Sequence, residues 1–227
     1  YFNKDKIMIY NNNQNTPFSV YITNLEKYNE GFLVGEWVNF PTTKEHITDI
    51  LKKIDVKEGQ EIIITDYDCN MPFLSKYLSE YSNLNELNYL AKKIEDIEDF
   101  NSNKFNAIIE VGEGIEDISD IINIIDNLDD YNLIIANNEE ELGISILDTN
   151  DEMQNIPDWL SNYIDYESYG RDYSINTGAV LTSEGYIYSF NCSKEYYKGI
   201  EDIPEECFII GSKQPIEEKT DEIELDV

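Results

Sequence analysis

Between residues 111 and 173 the chain carries 17 acidic side chains and a single basic one, Arg171. Like charges at that density repel one another when a chain compacts. Any fold must therefore spread these carboxylates over a surface and give them something to face. The imbalance is local: residues 1–60 hold 8 acids and 7 bases, residues 61–110 hold 10 and 4, and residues 174–227 hold 12 and 4, within a net charge of −31. Such a field excludes direct binding of nucleic acid or an anionic membrane. It fits cations, basic proteins, or proteins whose own ligand is a polyanion. Salt adaptation spreads acids along a whole chain, a pattern that the near-neutral first 60 residues do not follow.

Duplex DNA carries one charge per about 1.7 Å of axis, so 31 net charges match roughly 50 Å of duplex, or about 15 base pairs. A compact globule of 227 residues has a radius of gyration of about 17 Å and a diameter of about 45 Å. One protomer thus holds enough charge to imitate duplex DNA over its own length, provided that it is elongated and lines its acids along one surface. Helical carboxylates at i,i+3 and i,i+4 stand about 5–6 Å apart, comparable to phosphate spacing.

The remaining pattern predicts an α+β protein, with length enough for one domain or two to three small ones, and a C-terminal extension. Residues 1–18 read as an arm and linker. In residues 19–68, SVYITNL and FLVGEWVNF (Phe32 to Phe40) are strands joined by a KYNEG turn, Thr42 or Thr43 caps a helix to about Ile54, and EIIIT is a third strand ending at Asp66. Residues 69–130 form a helical domain: a short helix in PFLSKYLSEY, a helix from Leu84 to Phe100 capped by Asn83, another from Lys104 to Val111, and a fourth striped by Ile115, Ile118, Ile121, Ile122, Ile125 and Leu128. On that fourth helix Glu116/Asp120 and Asp126/Asp130 are like-charged i,i+4 pairs, each destabilising by a few tenths of a kcal/mol. Residues 131–190 give a strand in NLIIA, a helix from Glu139 to Leu147, the acidic stretch Asp158 to Tyr173, and a hairpin turning at Ser183–Gly185. Residues 191–227 are an extension ending in an acidic tail.

In Asp158 to Tyr173, Asp158, Asp165 and Asp172 fall on one line if the helix is unbroken, with Gly170 as the expected point of interruption. Tyr163, Tyr166, Tyr169 and Tyr173 form an aromatic seam, suited to packing within the chain or to a subunit contact. Arg171 reads as an ion-pair strut between its neighbouring acids. Asp66 and Asp68 follow a strand with the spacing of an aspartate-nucleophile phosphotransfer enzyme, although Asn70 stands where Thr or Val is usual. The Asp66 and Asp148 segments lack the glycine and glutamate of a calcium loop. His46 is the sole histidine, which leaves no two-histidine metal site or catalytic triad. No metal and no cofactor is expected. Three cysteines without a CxxC pair suit a reduced, cytoplasmic setting, and no apolar run approaches the ~18 residues of a membrane span.

VYITNLEKYNEGFLVGEW (20–37), DYDCNMPF (66–73) and NYIDYESYGRD (162–172) occur in that order, and together they resemble the ArdA antirestriction family. The family is carried by conjugative plasmids and transposons. The resemblance implies an elongated, curved protein of three small domains, dimerising through its C-terminal domain. It also implies a surface that imitates bent duplex DNA and occupies the DNA groove of type I restriction–modification enzymes, at the methyltransferase core. On that reading the protein is not an enzyme. The expected mimic surface comprises Glu116, Asp117, Asp120, Asp126, Asp129, Asp130, Glu139, Glu140, Glu141, Asp158, Asp165, Glu167 and Asp172. Tyr163, Tyr166, Tyr169 and Arg171 are assigned to packing near a dimer contact. The alternatives are phosphotransfer through Asp66 and Asp68, and an acidic decoy for a basic DNA-binding protein.

Overall fold

A computed structural model describes residues 16–57, 59–71, 73–149, 157–190 and 194–211. The architecture is mixed α+β, with two small three-stranded antiparallel sheets and eight α-helices among the described residues. Residues 1–15 of the proposed arm (1–18) and the acidic tail from residue 212 lie outside them, and Phe18, placed in the arm, instead opens the first strand.

The first sheet has the order β2-β1-β3, from β1 (Phe18–Asn24), β2 (Gly35–Phe40) and β3 (Ile62–Cys69). Central β1 is buried along its length except at Tyr21, because its apolar and small polar residues meet neighbours on both faces. Between β2 and β3 runs α2 (Lys44–Lys53), whose N-cap Thr43 accepts the amide of His46. Its Ile47 and Ile50 join Phe18, Val20, Ile22, Val38 and Phe40 in the principal apolar cluster.

Three local expectations change here. The KYNEG segment is not a simple turn: Leu25–Asn29 is a short helix, α1, because Asn24 Oδ1 accepts the amide of Lys27. The second strand starts at Gly35, leaving Phe32 and Leu33 exposed before it. In the other direction β3 continues through Asp66 to Cys69, so Asp66 and Asp68 are strand residues rather than turn residues.

The helical middle is divided differently from its periodicity. PFLSKYLSEY contains only a 3-10 turn, Leu74–Tyr77. The helix opened by Asn83 is α3 (Leu84–Glu95); the chain turns at Asp96–Glu98, and α4 (Asp99–Val111) absorbs both the end of the predicted 84–100 helix and the predicted 104–111 one. The isoleucine stripe forms α5 (Ile118–Asp126), with Ile118, Ile121 and Ile122 buried and with Ile115 and Leu128 buried just outside its ends.

Residues 194–211 cross α3 and α5 with two short 3-10 turns, Ile200–Asp202 and Glu205–Cys207. Tyr197, Ile203, Cys207 and Ile209 enter the principal cluster. Three helical asparagines and Asn127, the C-cap of α5, hold the segment by its backbone. Asn85 accepts the amides of Ile209 (2.8 Å) and Ile210 (2.9 Å) and donates to Ile210 O. Asn88 donates to Cys207 O, Asn123 bonds Tyr196 and Tyr197, and Asn127 bonds both backbone groups of Lys194. A side-chain amide carries both donor and acceptor, so an irregular chain lies on the helices without leaving these buried backbone groups unpaired.

The second sheet, order β4-β6-β5, comes from β4 (Tyr131–Ile134), β5 (Val180–Thr182) and β6 (Gly185–Ser189), with β5 and β6 a hairpin. Beside it lie α6 (Glu139–Thr149) and α8 (Tyr166–Thr177), with the short α7 (Asp158–Ser161) between them in sequence. Two glycines set how α6 and α8 pack. A Cβ on Gly170 would lie 1.9 Å from Glu139 O and 2.8 Å from Gly143 N, and one on Gly143 would lie 2.1 Å from Tyr166 O. Pairing of 139 with 170 and 143 with 166 makes the helices antiparallel, backbone against backbone. Gly170 thus sits inside a continuous helix, and the break falls instead at Asn162–Asp165, where Asp165 caps α8. Asp158, Asp165 and Asp172 therefore do not share one helix.

Candidate functional site

Although Asp126 closes α5 and Asp172 lies within α8, many of the acids of residues 111–173 stand at the starts of helices. There the first amides lack intrahelical partners and the helix dipole presents its positive end, so a carboxylate is bound rather than merely tolerated. At α5, Asp117 accepts the amides of Ser119 (2.8 Å) and Asp120 (3.4 Å), while Asp120 Oδ2 accepts those of Glu116 (2.8 Å) and Asp117 (3.3 Å). This reciprocal capping box corrects the expectation of a repelling Glu116/Asp120 pair, because Glu116 lies outside the helix.

At α6 the first turn is Glu139, Glu140 and Glu141. Glu141 accepts the backbone amide (2.8 Å) and side-chain amide (2.8 Å) of Asn137, and Asn138 Oδ1 accepts the amide of Glu141. The backbone bond from Asn137, then its side-chain bond, holds the Glu141 carboxyl below its ordinary range. At α8, Asp165 accepts the amide (3.0 Å) and hydroxyl (2.8 Å) of Ser168, and the amide is the larger reason that its carboxyl too is held low. Asp158 opens α7.

Three ion pairs, Lys27–Glu30, Lys52–Asp49 and Lys53–Glu36, lie in the near-neutral N-terminal part. In the acidic stretch Lys93 of α3 pairs with Asp126, on the wall of a cleft of about 590 Å³ that Asp129 and Glu206 also line. Asp130, next to Asp129 in sequence, ends the 3-10 turn Leu128–Asp130 before β4, and its carbonyl accepts the amide of Phe190. Glu116, Asp129, Glu140, Glu167 and Asp172 are exposed and Glu139 half-buried.

Arg171 is not the ion-pair strut read from its neighbours. Its guanidinium donates to Ser168 Oγ (3.0 Å), and it makes no ion pair among the described residues. Ser168 stands between it and Asp165, so the arginine steadies the cap without directly neutralising a carboxylate. The tyrosines divide as well. Tyr163 precedes α8 and is 79% exposed, Tyr169 is exposed and Tyr166 half-buried. Tyr173 meets Tyr188 hydroxyl to hydroxyl at 3.0 Å, and burial first, then that bond, pushes its hydroxyl up to about 12.

A hollow of about 470 Å³ opens between α6, α8 and the β5–β6 hairpin, lined by Glu139, Glu140, Glu167, Leu181 and Tyr186. Asp66 and Asp68 lie far along the sequence from it, on β3: Asp66 is exposed and accepts the amide of Tyr67, and Asp68 is half-buried. Among the described residues, no group of three or more His, Cys, Asp or Glu is arranged to hold a metal ion, and no helix is long and apolar enough to cross a membrane.

Ser168, Asn137, Asn138 and the Gly143–Gly170 contact were not singled out from the sequence. The pattern N-x-x-E at 138–141 and D-x-x-S at 165–168 is the signal that marks the caps.

A comparison with curated proteins finds no match. A family model described as antirestriction protein (ArdA) matches residues 20–188, which include both sheets almost entirely, all eight described α-helices and every acidic residue discussed above except Glu206. The chain belongs to the ArdA antirestriction protein family.

Proposed function

We propose that the protein is an antirestriction inhibitor whose carboxylates stand in for DNA phosphates in the basic groove of a type I restriction–modification enzyme, at its methyltransferase core. Family membership suggests the antirestriction activity. The observation that carries the mimicry is the seating of acids on helix N-termini: Asp117, Asp120, Glu141 and Asp165 have their carboxyl oxygens tied to backbone amides. Charges fixed in place before binding lose less entropy when a partner's lysines and arginines close on them. Glu116, Asp129, Glu140, Glu167 and Asp172 add exposed charge around these fixed points.

The same reading includes a homodimer acting in the cytoplasm. Trp159, Leu160, Tyr163 and Ile175 are exposed on and before α8, in keeping with a subunit contact there. The test is cleavage of unmodified DNA by a purified type I enzyme. Stoichiometric protein should suppress cleavage, and added specific DNA should restore it. Full cleavage in the presence of excess protein sinks the proposal.

A further inference from the structure

Residues 194–211 rest on the helices as a bound peptide rests in a groove. They pair with no strand of either sheet among the described residues. Their two 3-10 turns close within the segment, with Ile203 N donating to Ile200 O and Cys207 N to Pro204 O. The helices beneath, α3 and α5, lie inside the family match at residues 20–188, and the segment lies outside it.

The floor of this groove reads main chain. Asn85 and Asn88 stand at i,i+3 on α3, and Asn123 and Asn127 at i,i+4 on α5 and its cap, so each pair shares a face. Their side-chain amides accept the N–H groups of Lys194, Tyr196, Tyr197, Ile209 and Ile210 and donate to the carbonyls of Lys194, Tyr197, Cys207 and Ile210, all at 2.8–3.0 Å. Asparagine is a poor helix former, and Asn85, Asn88 and Asn127 are at most 7% exposed. At that depth each amide needs polar partners, and here a crossing backbone supplies them. Few side chains point down between these bonds. Tyr197, Ile203 and Ile209, spaced six residues apart, are at most 2% exposed. The Tyr197 ring centroid is 5.8 Å from that of Tyr89, and its hydroxyl donates to Glu86 Oε1 at 2.8 Å. Lys198, Glu201, Asp202 and Glu205, between the anchors, are exposed. Recognition thus divides into a backbone read without regard to sequence and three spaced anchors.

We propose that the α3–α5 face is a peptide-binding groove, filled here by the chain's own extension, that takes an external segment of the same chemistry. That segment is an irregular peptide carrying a tyrosine and two aliphatic residues at six-residue steps. Covalent attachment gives the resident segment an effective concentration of about millimolar, so an outside peptide enters freely only when the extension is severed. Nothing in this groove depends on the antirestriction function. The test uses the full chain with a specific protease site inserted between Phe190 and Lys194, and a fluorescent peptide of residues 194–211. After cutting, the folded chain should exchange its own segment for the labelled one saturably, with an affinity about tenfold or more above that of the uncut chain. N-methylation of the peptide at Tyr197 and Ile209 removes two N–H donors, keeps every side chain, and should weaken binding about tenfold or more. Glu201→Ser/Glu205→Ser in the peptide should change binding by less than about twofold. A cut chain that stays folded but takes up no label, one that unfolds on cutting, or equal binding of the N-methylated or a scrambled peptide overturns the proposal.

Discussion

Substitution of Gly170 by alanine tests the way the acidic helices are held together. In an isolated helix the change is favourable by about 0.5–1 kcal/mol, because alanine has less freedom to lose than glycine. In this protein the new methyl group would lie 1.9 Å from Glu139 O. Relieving that to a carbon–oxygen contact of about 3.3 Å moves α6 and α8 apart by about 1.4 Å. A gap of even 0.5–1 Å forfeits a quarter to a half of each dispersion contact across it, and overpacking of this kind costs about 1–3 kcal/mol or more. With little room for the backbone carbonyl to yield, the upper part of that range applies, for a net loss of about 2 kcal/mol. For a chain of this size that lowers the thermal midpoint by roughly 4–8 °C. Thermal unfolding followed by circular dichroism reads it, with exposed Asn176→Ala on the same helix as a control that should shift little. A Gly170→Ala protein as stable as the parent, or more so, refutes the backbone contact and with it the placement of Glu139 relative to Glu167.

Other consequences follow from named contacts. Asn85→Ala removes three hydrogen bonds and leaves Ile209 N buried without an acceptor, at a cost of about 2–3 kcal/mol. Native-state hydrogen exchange should show the Ile209 and Ile210 amides released at least tenfold faster, and unchanged exchange would mean that the segment is held by its apolar anchors alone. Asp165 has a lowered folded pKa, so its contribution to stability is complete above the unfolded value of about 3.9 and disappears as pH falls through the folded one. Carboxyl-carbon NMR should find it titrating below the ordinary aspartate range, and Ser168→Ala should raise it; an ordinary value in the parent protein contradicts the cap. Glu86, raised chiefly by burial, works the other way: burial opposes its charged form, so its contribution should favour the fold more as pH falls through the folded pKa.

Much of the fold was legible because local chemistry decided it. Alternation in SVYITNL, the Thr43 and Asn83 caps and the isoleucine stripe of α5 depend on neighbours within a few residues. The acids were legible as a quantity and misread as an arrangement. Counting Glu116/Asp120 as an i,i+4 pair assumed one helix across a boundary that Asp117 itself creates. Gly170 read as a breaker because sequence shows the missing side chain but not the carbonyl of Glu139 that occupies its place. Arg171 invited ion pairs in a list of neighbours, whereas Ser168 intervenes in space. The asparagines at 85, 88, 123 and 127 gave no hydrophobic signal at all, since their partners are backbone groups some 70–125 residues away. The hollow around Tyr186 joins α6, α8 and the hairpin, a juxtaposition that no short spacing encodes.

The central claim is that this protein and DNA compete for one basic groove. Binding of the purified chain to a type I methyltransferase core, measured with fluorescent specific DNA present and over a series of salt concentrations, tests it directly. The account predicts mutual displacement at one-to-one sites and an affinity that falls by about tenfold or more between 50 and 200 mM salt, in the manner of phosphate contacts. A ternary complex of enzyme, DNA and this protein, or binding indifferent to salt, would contradict it.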